Sequence, residues 1–400
     1  MWRVGENTNL LQGRDLVVFS NDWDGDPLSK VHIMRILSRD NRVLWVNSLG
    51  SRRPRANAHD VRRLASKLGG FFRGVVEVEP NIHVLSPLAL PLYGSAPALA
   101  ANRALVRAQV KGAMRGLGFR HPISWSFLPA SAPVSGTLGE ELVVYHCVDE
   151  FSAFSDVEGA QIAALEATLL KRADLCIVSA EALRVSKAKL NPRTVLVRHG
   201  VDFGHFVRAC DGRLPVPDEL TPLPRPIMGF FGLVASWVDL EALEACAEAF
   251  PGGTVVVLGK VAPGVDVTRL AAHRNVRLLG RRGYDVLPAY CRGFDVALLP
   301  FKLNELTRNA NPLKVREYLA AGLPVVASEL PEVAALGLCR LAKTPAEFPE
   351  RVAEALAEGA GCSRARAQRV ASESWESRVD EIRLAVGEAL ARPAHLEACV

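Results

Sequence analysis

A lysine and a glutamate stand three residues apart in the most patterned stretch of the chain. Residues 307–328 read TRNANPLKVREYLAAGLPVVAS, where a polar start leads into an amphipathic run that stops at Gly322. The short apolar run Leu323–Ala327 follows at once. This pattern predicts a loop, a helix, a tight turn and a buried parallel strand.

The start of the predicted helix suits an anion. Asn311 is a favourable N-cap, and Pro312, followed by Leu313, fits the first helical position, where no amide hydrogen is needed. The exposed amides and the positive end of the helix dipole attract negative charge. Lys314 and Glu317 share one helix face. A nucleotide would satisfy both, with Lys314 on a diphosphate and Glu317 on the ribose hydroxyls; the alternative is an ordinary helix whose lysine and glutamate are solvated.

Short apolar runs alternate with helical stretches through the first half of the chain. The predicted strands there are Leu16–Phe19, Val43–Val46, His83–Leu85, Val143–His146, Leu175–Val178 and Val195–Arg198. Amphipathic stretches such as Ser29–Arg39 and Ala160–Arg172 lie between several of them. The alternation predicts a doubly wound α/β domain with a parallel sheet.

A second series of apolar runs repeats this architecture. The predicted strands are Ile227–Phe231, Thr254–Leu258, Val276–Leu279, Val296–Leu299 and Pro324–Ala327. A chain of 400 residues is also too long for one ordinary core. The fold class is therefore predicted to be α/β, with two Rossmann-like doubly wound domains.

The stretch 307–328 resembles the donor-binding motif of two-domain GT-B glycosyltransferases. In that motif a proline–leucine–lysine helix start precedes Glu-Tyr, a small residue, Ala-Gly, an apolar residue and Pro-Val-Val. The resemblance is dense here and thinner along most of the chain, and it implies two domains that face a cleft. Retaining families of this fold carry a further Glu where this chain has Asn309, so both stereochemical outcomes stay open.

The resemblance also implies the domain organisation. Residues 198–202, RHGVD, are similar to the Asn-Gly-Val-Asp hinge of these transferases, with His199 in place of Asn. A proline-rich stretch, residues 214–226, follows and suits a linker. We predict an acceptor-binding domain over residues 1–203 and a nucleotide-sugar-binding domain over 204–370. A C-terminal helix over 371–400 is expected to return to the first domain.

Further donor-binding residues are implied by the same resemblance. Gly232 ends a predicted strand, where the backbone could approach a phosphate; an ordinary turn is the alternative. Gly280 and Arg281 occupy the position of the base-contacting loop, with Tyr284 nearby. For Arg281 the alternative is plain surface charge.

The first domain is expected to hold the acceptor and the base. Residues 145–151, YHCVDEF, resemble a strand and loop of bacterial exopolysaccharide glycosyltransferases, whose inverting members use a first-domain Asp as base. We predict that Asp149 takes the proton of the acceptor hydroxyl. Glu150 is the nearest rival, and a helix cap is the structural alternative for Asp149.

The acidic loop after the first strand is the predicted acceptor-binding loop. Asp22 and Asp24 could bind acceptor hydroxyls, and Trp23 could stack on a sugar. The aspartates at 22, 24 and 26 resemble half of a calcium loop, but the twelfth position of that loop is Ile33. No metal site is therefore predicted.

The positive charge of the chain is unevenly distributed. Residues 1–200 carry 25 Lys and Arg against 18 Asp and Glu, and residues 80–139 contain no acidic residue. One predicted helix face carries Arg103, Arg107, Lys111 and Arg115, beside apolar Leu99, Val106, Val110 and Met114. This face predicts peripheral contact with an anionic membrane, with a solvated face as the alternative.

A second basic cluster consists of arginines 52, 53, 55, 62 and 63. Neither cluster is interleaved with aromatic residues, so no nucleic-acid partner is expected.

Other bulk features point to the cytoplasm. No apolar run approaches the length that spans a bilayer, and residues 1–15 lack the basic start and apolar core of a signal peptide. The eight cysteines are scattered without metal-ligand spacing, which predicts a reducing compartment and no structural zinc.

The sequence therefore predicts a nucleotide-sugar-dependent glycosyltransferase of the exopolysaccharide type. Its acceptor would be a polysaccharide or a lipid-linked oligosaccharide. The resemblance implies no metal and no cofactor besides the nucleotide-diphosphate sugar as co-substrate, since cations and a helix dipole stabilise the leaving diphosphate. Two alternatives are a non-catalytic sugar- or polymer-binding protein on the same scaffold and a nucleotide-sugar epimerase.

Overall fold

The computed structural model describes residues 8–25, 27–48, 73–88, 96–154 and 158–391. The chain divides into two compact units, residues 1–198 with 379–400, and residues 199–378. The arginine cluster at 52–63, Asp26 and the residues from Pro393 onward lie outside the described part.

The first unit is built on an eight-stranded sheet. Its strands are β1 Asp15–Phe19, β2 Arg42–Val46, β3 Val75–Glu79, β4 Ile82–Leu85, β5 Ile123–Ser126, β6 Leu142–Cys147, β7 Leu175–Val178 and β8 Thr194–Leu196. Their order is β3-β4-β2-β1-β5-β6-β7-β8, and every pairing is parallel except that of β3 with β4. The strand order therefore reverses between β1 and β5, and ligands of open α/β sheets bind at the carboxyl ends beside such a reversal.

Helices cover both faces of this sheet. They are α1 Ser29–Leu37, α2 Ala96–Leu117, α3 Gly159–Arg172 and α4 Glu181–Lys187. Val106 and Val110 of α2 pack with Val17 and Phe19 of β1 in one cluster of buried residues. A second cluster joins residues of β6 and β7 to α3 and α4.

The second unit contains a six-stranded sheet in which all pairings are parallel. Its strands are β9 Ile227–Phe231, β10 Thr254–Leu258, β11 Val276–Gly280, β12 Val296–Leu299, β13 Val325–Ser328 and β14 Arg340–Ala342. The order β11-β10-β9-β12-β13-β14 is the doubly wound order of dinucleotide-binding folds, with its reversal between β9 and β12. Two parallel, doubly wound sheets confirm the predicted α/β class.

Ten helices of the described part follow the first four. They are α5 Phe203–Phe206, α6 Leu240–Ala249, α7 Thr268–Ala272, α8 Leu287–Gly293, α9 Glu305–Arg308, α10 Leu313–Ala320, α11 Pro331–Leu336, α12 Phe348–Ala357, α13 Arg364–Gln368 and α14 Trp375–Ala391. No helix of the described ranges has both the length and the apolar character to cross a bilayer. In α14, the residues from Val379 onward are counted with the first unit.

Three strands escaped prediction, each for a physical reason. The sequence of β5 is ISWS, and its serines are buried because Ser124 and Ser126 both hydrogen-bond to Ser135 Oγ. Valine and glutamate alternate along most of β3, which is typical of an antiparallel edge strand. β14 is only three residues long. No continuous apolar run marks any of them.

The predicted helical tail over residues 363–392 is interrupted. Between α13 and α14 the backbone of Ser374 forms a parallel bridge to Val201, where Val201 N donates to Glu373 O and Trp375 N donates to Val201 O. In a continuous helix the same backbone groups would form hydrogen bonds within the helix.

Candidate functional site

The donor-type helix α10 begins one residue later than predicted. Pro312 is the N-cap, with an extended backbone and no side-chain cap, and Leu313 is the first helical residue. The predicted N-cap role of Asn311 is therefore wrong. The first amides of α10 have no capping side chain, which leaves donors for an anion.

Asn311 instead holds the loop that precedes α10. Its side-chain oxygen accepts from Arg316 at 2.6 Å, and its backbone carbonyl accepts from His199 Nδ1 at 2.8 Å. Arg316 is 2% exposed and also donates to Glu373 at 3.0 Å. These contacts fix where the first turn of α10 begins. The helix ends as predicted, because Gly322 adopts a φ of +79° directly after it.

Gly232 and Lys314, both predicted to bind the nucleotide-sugar donor, are in direct contact. Gly232 has a φ of +138°, and a Cβ built on it would lie 1.9 Å from Lys314 Cε. The aliphatic part of Lys314 therefore passes over the bare backbone where β9 ends. This places an ammonium group and the uncapped start of α10 at the reversal between β9 and β12, the position where doubly wound sheets bind phosphates.

Tyr318 ties α10 to the same strand end. Its hydroxyl accepts the Phe231 backbone amide at 2.8 Å, and its ring lies edge-on to Phe231 with centroids 4.6 Å apart. Burial, with a smaller contribution from the nearby carboxylate of Glu317, raises the pKa of Tyr318 well above its ordinary value. Glu317 itself is half-buried, one turn after Lys314 on the helix.

The predicted base-contacting loop follows β11. Gly280 is exposed with a φ of +72°, and its carbonyl accepts from Gly259 N at 2.8 Å. Arg281 is exposed, whereas the ring of Tyr284 stacks on His205 with centroids 4.6 Å apart. Gly280 and Arg281 therefore stay predictions.

Arg282, the next residue, has a structural role. It forms an ion pair with Glu219 at 2.8 Å and donates to the Leu279 carbonyl. This pair fixes the loop that carries Arg281.

In the first unit, Asp149 lies two residues beyond β6. Its side chain is partly exposed, and within the described ranges its carboxylate makes no hydrogen bond and no ion pair. Burial raises the pKa of Asp149 to about 6, and the Lys30 ammonium opposes that rise. Asp149 does not cap a helix, because the first residues after it form a turn of 3-10 helix without a side-chain cap.

Glu150, the alternative candidate for the base, is held by contacts with other side chains. Its carboxylate accepts from Lys187 at 2.7 Å and from Ser152 at 2.8 Å, and the residue is 9% exposed. Lys187 also pairs with the buried Glu166 at 2.8 Å. The Glu150 carboxylate is therefore engaged by a buried ion pair and a hydrogen bond.

The predicted acceptor loop follows β1, with its side chains in different surroundings. Asp22 is exposed and accepts the Ser48 amide at 3.1 Å. Trp23 packs edge-on against Trp45 at 4.9 Å, with the Arg35 guanidinium 5.6 Å from its ring. Asp24 is exposed. Trp23 is thus already held by protein contacts, and all three residues stay predictions.

Lys30 and Ser20 were missed in the sequence. Lys30 is only 7% exposed, at the start of α1, and donates to Asn21 Oδ1 at 2.5 Å. Ser20 is 1% exposed, and its hydroxyl has no hydrogen-bond partner among the described residues. Their position just after β1 was the available signal, since strand ends beside a reversal are where ligands bind.

No metal site emerges from the described ranges, which contain no group of three or more His, Cys, Asp or Glu side chains placed to hold an ion.

Both units are doubly wound, and each places polar groups at its strand reversal. The family described as Glycosyl transferases group 1 matches residues 228–359, within the second unit.

One curated relative is TuaH of Bacillus subtilis strain 168, named for a proposed role as a teichuronic acid biosynthesis glycosyltransferase. It is 25% identical over 221 residues, which are 52% of this chain and 55% of the relative. The chain thus aligns over about half the length of that protein.

Solved structures show the same fold. Sucrose-phosphate synthase from Thermosynechococcus elongatus superimposes with a TM-score of 0.67 at 16% identity, over 94% of this chain and 99% of the other. HepE of Anabaena, in complex with UDP and glucose, superimposes with a TM-score of 0.59 at 15% identity, over 96% of this chain and 99% of the other. These findings confirm the predicted resemblance to GT-B glycosyltransferases.

Proposed function

We propose that the protein transfers a sugar from a nucleotide-diphosphate donor to a hydroxyl of a polysaccharide or a lipid-linked oligosaccharide. The observation that carries this proposal is the contact of Lys314 with the bare backbone of Gly232 at the uncapped start of α10. A cation, the first backbone amides of a helix and the helix dipole converge there, which is the chemistry that stabilises a leaving diphosphate.

The second unit is proposed to bind the donor. Lys314 would contact the diphosphate, the α10 amides would donate to it, and Glu317 one turn later would accept from the ribose hydroxyls. Gly280 and Arg281 would contact the base. The complex of HepE with UDP and glucose supports a nucleotide-sugar donor for this fold.

The first unit is proposed to supply the base and the acceptor site. Asp149 has a partly exposed carboxylate without an ion pair among the described residues, and its pKa of about 6 leaves it ionised yet basic near neutral pH. As acceptor oxygen attacks the anomeric carbon, Asp149 would take its proton. Direct attack assisted by such a base implies inversion at that carbon.

Acceptor binding is assigned to the loop after β1, where Asp22, Trp23 and Asp24 follow the strand. The relative named for teichuronic acid biosynthesis supports a glycan acceptor.

Peripheral contact with an anionic membrane is proposed in a narrower form than the sequence suggested. Val106, Val110 and Met114 of α2 are buried in the core of the first unit, so they offer no apolar surface to a bilayer. Arg103, Arg107 and Arg115 are exposed on the same helix. Any membrane contact of α2 would therefore be electrostatic and sensitive to salt.

A reducing compartment, the cytoplasm, is the proposed location. The cysteines of the described ranges are all free thiols, although several are close enough to one another to interact electrostatically. Disulfides would be expected in an oxidising compartment.

The proposal is tested in two steps with the full-length protein. A thermal-shift screen with UDP, GDP, ADP and dTDP should raise the melting temperature with at least one of them, because a ligand of the folded state stabilises it. The matching nucleotide sugar should then be consumed when oligosaccharide or polyprenyl-linked acceptors are added. Binding without turnover across a broad acceptor panel would favour a non-catalytic protein, and conversion of the donor without an acceptor would favour an epimerase.

A further inference from the structure

A cluster at the carboxyl ends of β1, β5 and β6 surrounds a buried lysine. Phe19 pairs with Ser126, and Ser126 with Tyr145, so the next residues along these strands, Ser20, Phe127 and His146, form one layer on the same side of the sheet. Phe127 and His146 stack with centroids 4.9 Å apart. The layer lies directly beside the reversal of strand order.

The Lys30 ammonium lies over this layer. It is 5.9 Å from the centroid of the Phe127 ring and 5.9 Å from that of the Phe151 ring, close enough for favourable cation–π contact. Phe127 follows β5, and Phe151 lies two residues after Asp149 in the segment that follows β6, so the ammonium lies near the carboxyl ends of these two adjacent strands. Asn21 Oδ1 accepts one of its three hydrogens at 2.5 Å.

Burial of this cation is costly unless something compensates it. Burial lowers the pKa of Lys30 to about 8, while Asp149 and, to a smaller extent, Cys147 oppose that change. Burial raises the pKa of Asp149, and the charge of Lys30 lowers it. Each residue therefore favours the charged form of the other, although no direct ion pair joins them.

Other charged groups near the cluster are already paired. Cys147 lies next to Glu166 and Lys187, and Lys187 pairs with both Glu166 and Glu150. Lys30 is therefore the cation that acts on the Asp149 carboxylate from within the described part of the first unit.

We propose that Lys30 is a positioning residue of the acceptor half-site: held by Asn21 beside the rings of Phe127 and Phe151, it binds the attacking hydroxyl next to Asp149. This inference rests on the proposed function. Among the residues that the structure describes, the Lys30 ammonium donates to no acceptor besides Asn21, and the Ser20 hydroxyl of the adjoining layer has no partner. The polar ligand that these groups would take is the hydroxyl of a sugar, with Asp149 accepting its proton.

The test compares the wild type with Lys30→Met and Lys30→Arg. The transfer rate of the wild type should rise with pH through about 6, as Asp149 ionises. In Lys30→Met the acidic limb of the pH–rate profile should move to higher pH by about one unit, because the cation that favours ionised Asp149 is lost. Lys30→Arg keeps the positive charge, so its pH–rate profile should match that of the wild type. Lys171→Met, at an exposed lysine of α3, is the matched control and should leave the profile unchanged.

A second readout does not depend on turnover. The carboxyl resonance of Asp149, assigned by its loss in Asp149→Asn, should titrate at a higher pH in Lys30→Met than in the wild type. Asn21→Ala, which frees the ammonium without removing it, should give a smaller change in the same direction. Identical titrations in the wild type and Lys30→Met would overturn the inference. Absence of transfer by the wild type, with the titration shifted as expected, would refute the proposed function alone.

Discussion

Asp149 has the surroundings that a general base needs. Its carboxylate is partly exposed, unpaired within the described ranges and raised in pKa to about 6 by burial. Glu150 next to it has the opposite properties, since Lys187 holds it in a buried network. Two neighbouring carboxylates thus have different surroundings: the described residues leave Asp149 without an ion pair, whereas Lys187 pairs with Glu150.

Removal of the Asp149 charge should abolish sugar transfer but leave binding of the donor unchanged. Asp149→Asn is expected to lower kcat by a factor of about 10² to 10⁴, the usual contribution of a general base. Affinity for the nucleotide diphosphate, measured by calorimetry, should stay at the wild-type value. Glu150→Gln is an unsuitable control because it breaks a buried ion pair. Glu77→Gln, at an exposed carboxylate of β3 in the same unit, is the matched control and should keep wild-type transfer. Wild-type turnover in Asp149→Asn would remove this residue from the mechanism.

The strand-to-helix junctions decide where the reactive groups lie. In the second unit β9 ends at a glycine over which Lys314 passes, and Tyr318 fastens α10 to the same strand end. In the first unit the ends of β1, β5 and β6 gather Lys30, Phe127 and Asp149. Both junctions adjoin a reversal of strand order, so the fold itself places the polar groups.

A methyl group at Gly232 should therefore act through Lys314. In Gly232→Ala the new Cβ would overlap Lys314 Cε, and the side chain would have to leave the strand end. We expect affinity for the nucleotide diphosphate to fall at least about tenfold, roughly 1.4 kcal/mol. Calorimetry measures this directly.

Gly337→Ala is the matched control for Gly232→Ala. Gly337 has a φ of +66° at the end of α11 but open space around its Cβ position. It should lose about 1–2 kcal/mol of stability from backbone strain and keep its affinity. Equal affinity in Gly232→Ala and the wild type would contradict a role for Lys314 at this strand end.

The basic face of α2 tests the membrane proposal. Replacement of Arg103, Arg107, Lys111 and Arg115 by Glu should reduce sedimentation with vesicles of anionic phospholipid, and high salt should have the same effect on the wild type. The control carries the same charge change on exposed arginines of the second unit, at positions 213, 274, 277 and 369. If both variants sediment as the wild type does, α2 makes no membrane contact.

At the scale of the whole molecule, the sequence predicted the architecture because the central parallel strands of the second unit bury continuous apolar runs. β9, β10 and β12 lie where they were predicted, and all of their residues are buried. β5 was missed because its buried serines are satisfied by Ser135, a contact that no local pattern reveals.

The candidate site was predicted in part for a related reason. Lys314 and Glu317 are three apart on one helix, so local geometry was sufficient to place them on the same face. Asn311 was misread because its favoured capping role competes with a hydrogen bond to Arg316 in the same segment. Lys30 became visible only when the ends of three strands were brought together.

Calorimetric titration tests most directly whether the start of α10 binds a nucleotide diphosphate. The wild type should bind at least one of UDP, GDP, ADP and dTDP, and Glu317→Ala should bind that nucleotide at least about tenfold more weakly because the ribose hydroxyls lose their acceptor. Glu248→Ala, at an exposed glutamate of α6, should bind as the wild type does. Unchanged affinity in Glu317→Ala, or no heat of binding with any of the four nucleotides, would contradict the claim.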